Sequence, residues 1–227
     1  EDELDLIKEI CSRANLPVIG AGNVKRMEDI KKNITLYQGD QYNMEDLEER
    51  RLYINYVIDS DVVDEIVYHI LRYNRLDKDI PVEKRKPILL YVNTNGGSVP
   101  DGYALIDAIL TSKTPVYTIN QGYCYSMGFL IFIAGKRRYA MPNSTFLMHD
   151  GSSFAWDSTA KMKDRVDFEA GQVEVHTKNY IMTQTKINEK LYDEKYRVEW
   201  YFYPEEAKSV GVCDYIVGKD CTIDEII

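Results

Sequence analysis

The sequence predicts an α/β domain of repeated β-α-β units with one long helix set near its C-terminal third. Three observations predict it. Apolar runs of strand length alternate with helically spaced segments from Arg51 onward. The best-defined of these runs is continuously apolar, as in a strand covered on both faces, and leads straight into a Gly-bearing turn. A polar, helix-compatible stretch then runs from Thr159 to Gln184 without a proline.

In chain order, residues 2–13 carry Leu4, Ile7 and Ile10 at helical spacing within a charged segment. Residues 14–23 hold the Pro17 and Gly20/Gly22 turn signals, and residues 24–50 are polar and poorly periodic. Residues 1–48 are therefore set apart as an N-terminal extension, and residues 49–227 as the main domain. Leu52–Ile58 is the first expected strand. Asp59 and Ser60 can start a helix bearing Val62, Val63, Ile66, Ile70 and Leu71. Asp77–Lys86 is a charged loop. Ile88-Leu89-Leu90-Tyr91-Val92 is the buried strand, closed by the turn Asn95-Gly96-Gly97. A helix follows with Tyr103, Ile106, Ile109 and Leu110 on one side. Val116–Ile119 is a short strand, Tyr125–Ala134 a helix and Thr145–Met148 a strand.

The chain has 227 residues, 44% hydrophobic and 29% charged, which is ample for a core. Its net charge of -9 argues against nucleic acid as a partner. No apolar run is long enough to span a bilayer, so no membrane association is expected. The four cysteines, Cys11, Cys124, Cys213 and Cys221, form no C-x-x-C pair, which suits reduced thiols and a cytoplasmic location. No phosphate-binding G-x-x-x-x-G-K-[ST] loop is present, so the chain is not expected to hydrolyse ATP itself, and no metal or other cofactor is expected.

Three short segments carry candidate chemistry. In Gly122-Tyr123-Cys124-Tyr125-Ser126-Met127-Gly128 a strand leads in and a fully apolar helix leads out. Ser126 then stands at a helix N-terminus, where the dipole favours a developing oxyanion and the free N–H of Met127 can donate to it. The bland alternative is a serine that only caps its helix. In Asn93-Thr94-Asn95-Gly96-Gly97-Ser98, two glycines let the backbone approach a ligand and aim N–H groups at an anion. The bland alternative is an ordinary turn. In Met148-His149-Asp150 the histidine ends a strand, whereas His69 flanks an apolar helix stripe and His176 lies in a polar helix. Nucleophile, base and oxyanion donors in order at three consecutive strand ends are what acyl transfer needs.

With those residues in view, the chain resembles the Clp protease proteolytic subunits. The likeness rests on Asn93-x-x-Gly96-Gly97, Gly122-x-x-x-Ser126-Met127-Gly128, Pro142-Asn143-Ser144, Met148-His149, and Pro204-Glu205-Glu206-Ala207 through Gly211-Val212-Cys213-Asp214, over residues 50–217. It implies a Ser-His-Asp endopeptidase on the crotonase-like fold, cleaving polypeptide substrates. It further implies a homo-oligomer of two stacked heptameric rings, served by an ATP-driven AAA+ unfoldase and joined by a handle helix at 159–184. By position, Ser126 matches the nucleophile, His149 the base, and Gly97 and Met127 the oxyanion donors. The family's catalytic Asp falls at Glu199, with Asp193 and Glu194 as competing carboxylates. The usual N-S-P-G-G reads Asn93-Thr94-Asn95-Gly96-Gly97, and the segment between Ser126 and His149 is two residues short near Gly135-Lys136-Arg137. Two alternatives stay open: a weakened ring subunit that scaffolds an active paralogue, motivated by Glu199, and a crotonase-fold acyl-CoA enzyme, for which a Ser-His pair would be redundant. The extension 1–48 is expected to gate or reshape the axial entrance and to alter unfoldase docking.

Overall fold

The computed structural model describes residues 44–150 and 158–226. The chain divides into two compact units, Glu1–Glu49 and Arg50–Ile227. In the first, residues 44–48 are helical; the helix expected at 2–13 and the turn expected at 17–22 lie outside the described residues.

The second unit is built on a seven-stranded sheet. Strands β1 (Arg51–Ile54), β2 (Ile88–Thr94), β3 (Val116–Tyr125), β4 (Arg137–Ala140) and β7 (Tyr215–Ile216) lie side by side in the order β1-β2-β3-β4-β7. Strand β5 (Thr145–Met148) pairs with the far half of β3, and β6 (Trp200–Phe202) pairs with β5. Only the β5–β6 pairing is antiparallel. The helices are α1 (a π turn at Val63–Val67 continued by Tyr68–Leu76), α2 (Val99–Thr111), α3 (Met127–Ile133), α4, α5 (Glu189–Lys195) and α6 (Pro204–Ser209). Helix α4 runs Thr159–Phe168, passes through a π turn at Glu169–Val173 that contains Gly171, and continues Glu174–Gln184.

The apolar runs form strands because both sheet faces are covered. Ile88, Leu90 and Val92 are fully buried on one face, with Ile54, Leu105, Ile106, Phe129, Phe132 and Phe146. Leu89, one step along β2, points to the other face and joins Ile119, Tyr139, Val217 and Ile226. Each such side chain contributes about 1.5–3 kcal/mol by leaving water. One buried ion pair ties the loop after α1 to the sheet. Arg50 donates both guanidinium ends to Asp77 at 2.6 Å, and Thr114 Oγ1 donates to the same carboxylate at 2.9 Å. The Arg50 hydrogen bonds hold Asp77 below the usual carboxylate range against the opposing effect of burial. A second pair, Arg138 with Asp214 at 2.8 Å, joins β4 to the segment before β7, and Arg138 Nη1 donates to the Gln184 carbonyl at the end of α4.

Several boundaries differ from the sequence reading. Strand β1 stops at Ile54 instead of Ile58, because Ile58 leaves the ladder to bridge the Gly97 loop. Strand β3 runs on to Tyr125, six residues past Ile119, and α3 starts at Met127 instead of Tyr125. The cause is a bulge: Val92 pairs with Asn120 but Thr94 pairs with Cys124, so β3 carries extra residues around Gly122. Asn93 Oδ1 fills the gap in the ladder by accepting from the Tyr123 N–H at 3.3 Å. After α3 the chain re-enters the sheet at once, where the Lys136 N–H donates to the Val116 carbonyl at the start of the β3–β4 pairing.

Candidate active site

The bulge extends β3 so that Ser126 and His149 end neighbouring parallel strands. Tyr125 is in register with Leu147, and the Ser126 N–H donates to the Leu147 carbonyl at 3.1 Å. Ser126 stands at the N-cap position just before α3 with φ 53° and ψ -120°, one of two described non-glycine residues with positive φ. Its side chain makes no capping hydrogen bond. The bland reading of Ser126 as a helix cap is therefore not what the geometry shows. A serine held in a sparsely populated conformation at a strand-to-helix turn, with its hydroxyl released from the helix, is the geometry of a nucleophile elbow.

The Gly96-Gly97 loop is pressed against this elbow. Thr94 Oγ1 donates to the Tyr56 carbonyl at 2.6 Å and accepts from the Gly96 N–H at 3.1 Å. Ile58 N–H donates to the Gly96 carbonyl at 2.9 Å, and Ser98 N–H donates to the Ile58 carbonyl at 2.7 Å. Those bonds use one edge of the loop, so the Gly97 N–H, which points the opposite way in an extended bridge, is directed off the other edge. Both glycines have positive φ, 98° and 148°. The Met127 N–H lies at the first turn of α3, and the Met127 side chain is buried against Gly102 of α2.

His149 is one residue beyond β5, and its Nε2 is buried without a hydrogen bond. Its Nδ1 stands 3.9 Å from Glu199 Oε1, beyond hydrogen-bond length. Met148 pairs with Trp200, so Glu199 lies opposite His149 one step beyond the β5–β6 ladder. The competing carboxylates are engaged elsewhere: Asp193 pairs with Lys178 at 2.8 Å, and Glu194 faces Lys190 at 4.0 Å. Burial pushes the Cys124 thiol well above its ordinary value, so the cysteine two residues before Ser126 stays protonated and is no rival nucleophile. His176 is exposed on α4 and lies against Tyr103, ring centroids 5.1 Å apart. His69 sits beside Tyr68 on α1, with Tyr73 one turn on.

The Clp protease family model matches residues 38–220. The chain belongs to the Clp protease family. It is 32% identical over 144 residues to the ATP-dependent Clp protease proteolytic subunit 2 of Treponema pallidum, covering 63% of this chain and 64% of that one. It is 29% identical to the corresponding subunit of Deinococcus radiodurans, over 76% of this chain and 82% of the relative. To proteolytic subunit 3 of Streptomyces avermitilis it is 30% identical over 79% of each. A solved structure of a ClpP1 mutant from Listeria monocytogenes superposes with a TM-score of 0.69 at 17% identity, covering 82% of this chain and 99% of that chain. The expected family, the α/β fold with parallel sheet and the serine-peptidase class are thus borne out. No helix among the described residues is long and apolar enough to cross a membrane.

An apolar cavity of about 640 Å³ opens where α2 begins, lined by Val99, Pro100 and Tyr103 together with Phe168, Val175 and His176 of α4. The sequence reading did not find it. Its lining comes from segments some seventy residues apart, and only the hydrophobicity of Val99-Pro100 just after the glycines hinted at it.

Proposed function

We propose that this chain cleaves peptide bonds with Ser126 as nucleophile, His149 as general base and Glu199 as the carboxylate that orients the imidazole. The observation that carries the reading is the strained Ser126 elbow, uncapped and in register with the strand that ends at His149. Ser126 Oγ attacks the scissile carbonyl while His149 Nε2 takes its proton. The N–H groups of Gly97 and Met127 receive the negative charge of the tetrahedral intermediate. His149 then gives the proton to the leaving amine, and water repeats the sequence on the acyl-enzyme. Glu199 faces Nδ1, the nitrogen that must carry a proton for Nε2 to act as base. Reaching hydrogen-bond length requires a closure of about 1 Å, which a glutamate has the torsional freedom to make. The cavity at the start of α2, two residues after Gly97 in the chain, suits an apolar side chain of the substrate.

The same reading places the chain in two stacked heptameric rings, fed with unfolded polypeptide by an AAA+ unfoldase in the cytoplasm. Val166, Phe168 and Val175 are exposed along α4 among charged residues, a composition suited to contact between subunits. This reading assigns the extension 1–48 the role of gating or reshaping the axial entrance. The relatives named as ATP-dependent support the unfoldase partnership. Native mass measurement tests the assembly, and a monomer at micromolar concentration would refute it.

One observation favours a second reading. Glu199 is exposed and stands 3.9 Å from His149 Nδ1, beyond hydrogen-bond reach of it, and His149 Nε2 is not bonded to Ser126, which would suit a subunit that scaffolds an active paralogue. Labelling with a fluorophosphonate probe separates the two. An active site reacts at Ser126, and Ser126→Ala abolishes both labelling and peptide hydrolysis while assembly persists, because losing a triad member costs several orders of magnitude in kcat. An unreactive wild-type protein would support the scaffold.

A further inference from the structure

We propose that Tyr201 is a positioning residue that holds the Glu199 carboxylate toward His149. The inference rests on the triad reading above and adds to it a residue that the reading does not use.

Glutamate at this position needs an anchor. Its side chain is 62% exposed and has one more torsion than aspartate, so left alone it would spread over several rotamers. The Tyr201 hydroxyl donates to Glu199 Oε2 at 2.8 Å, which leaves Oε1 as the oxygen facing His149 Nδ1. One carboxylate oxygen is thus bonded to the phenol while the other faces the imidazole from 3.9 Å. The spacing makes this possible, because residues two apart on an extended strand project to the same side.

Tyr201 is itself held in place. It pairs with Leu147 across β5–β6, and Leu147 pairs with Tyr125 across β3–β5. The Tyr125 and Tyr201 rings meet edge to face, centroids 5.6 Å apart, over that shared neighbour. The Tyr125 hydroxyl in turn hydrogen-bonds Thr145 Oγ1 at 2.8 Å. A line of contacts therefore runs from the β3 strand that carries Ser126 to the carboxylate behind His149. Packing alone does not account for the hydroxyl: half of Tyr201 is exposed, and Glu199 is its hydrogen-bond partner among the described residues. The bond to Glu199 also raises the Tyr201 phenol above its ordinary value, so the hydroxyl keeps the proton it donates.

Tyr201→Phe tests the idea, since it keeps the ring and its contact with Tyr125. Measured on the full-length protein with a fluorogenic peptide, kcat should fall about fivefold to tenfold, the scale of a lost charge-assisted hydrogen bond at an exposed site, with KM unchanged. In a Glu199→Ala background the same substitution should have no further effect. A residue acting only through packing would lower activity equally in both backgrounds, and that result would overturn the proposal, as would a wild-type kcat in Tyr201→Phe. The outcomes separate this inference from the one beneath it. If Glu199→Ala lowers kcat and Tyr201→Phe does not, only the role of Tyr201 fails. If Glu199→Ala leaves kcat unchanged, the triad assignment fails and this proposal with it.

Discussion

Replacing Gly96 by alanine should disable the site without unfolding the protein. A Cβ at this position would stand 2.7 Å from Ser126 Cβ, 2.8 Å from the Tyr125 carbonyl oxygen and 2.9 Å from the Met127 nitrogen. Carbon atoms settle at about 3.5–4.0 Å, so the elbow and the loop must separate by about 0.8–1.3 Å. None of the three opposing atoms is the end of a flexible side chain, so rotamer changes cannot relieve the clash. Misplacement of that size at a reacting centre costs on the order of 100-fold in rate. The positive φ of 98° adds about 1–2 kcal/mol of backbone strain in the folded state. At about 2–4 °C per kcal/mol for a domain of this length, the melting temperature should fall by about 2–8 °C. Peptide hydrolysis gives kcat/KM, and thermal unfolding followed by circular dichroism gives the stability. Gly218→Ala is the control, because that glycine also has positive φ, 83°, but nothing lies within 4 Å of the added Cβ. It should show the strain without the loss of activity. A folded Gly96→Ala protein with wild-type kcat/KM would refute the contact between loop and elbow.

Other expectations follow from named contacts. Asp77→Asn breaks a buried pair and should destabilise the protein by about 3 kcal/mol at neutral pH. Because the folded-state pKa of Asp77 is depressed, its contribution is complete above the ordinary carboxylate value and is lost as pH falls through the depressed one. Urea midpoints of wild type and variant should therefore converge as pH falls below the ordinary carboxylate value, and a constant gap across pH would contradict the assignment. Arg138→Lys should destabilise by about 1–3 kcal/mol, since lysine cannot reproduce the two-point contact with Asp214 together with the bond to the Gln184 carbonyl; an unchanged denaturation midpoint would count against it. Deleting residues 1–40 should raise hydrolysis of a long unstructured polypeptide far more than that of a short peptide if the extension restricts entry. Equal ratios before and after deletion would remove support for that role.

Much of this protein is determined locally, by spacing along the chain. The strand at Ile88 and the helices around Ile106 and Phe129 follow from apolar runs and their spacing, the α4 segment at 159–184 follows from a polar stretch without proline, and the glycines and Ser126 follow from what turns and helix starts require. His149 could be chosen over His69 and His176 because it alone ends a strand. Other features depend on segments that meet only in the folded sheet. The length of β3 was not readable, because the residue that sustains it is Asn93 on a neighbouring strand, acting through its side chain. Strands β6 and β7 are too short to carry a period, and β6 exists because β5 offers it an edge. The same pairing decides which carboxylate stands behind His149. The resemblance to the family's motif singles out Glu199, but only the antiparallel register of Met148 with Trp200 brings it opposite His149, and only the exposed Tyr201 two residues on gives its second oxygen a partner. Local sequence sets which backbone conformations are cheap; the placement of a side chain fifty residues away is set by the ladder that happens to join them.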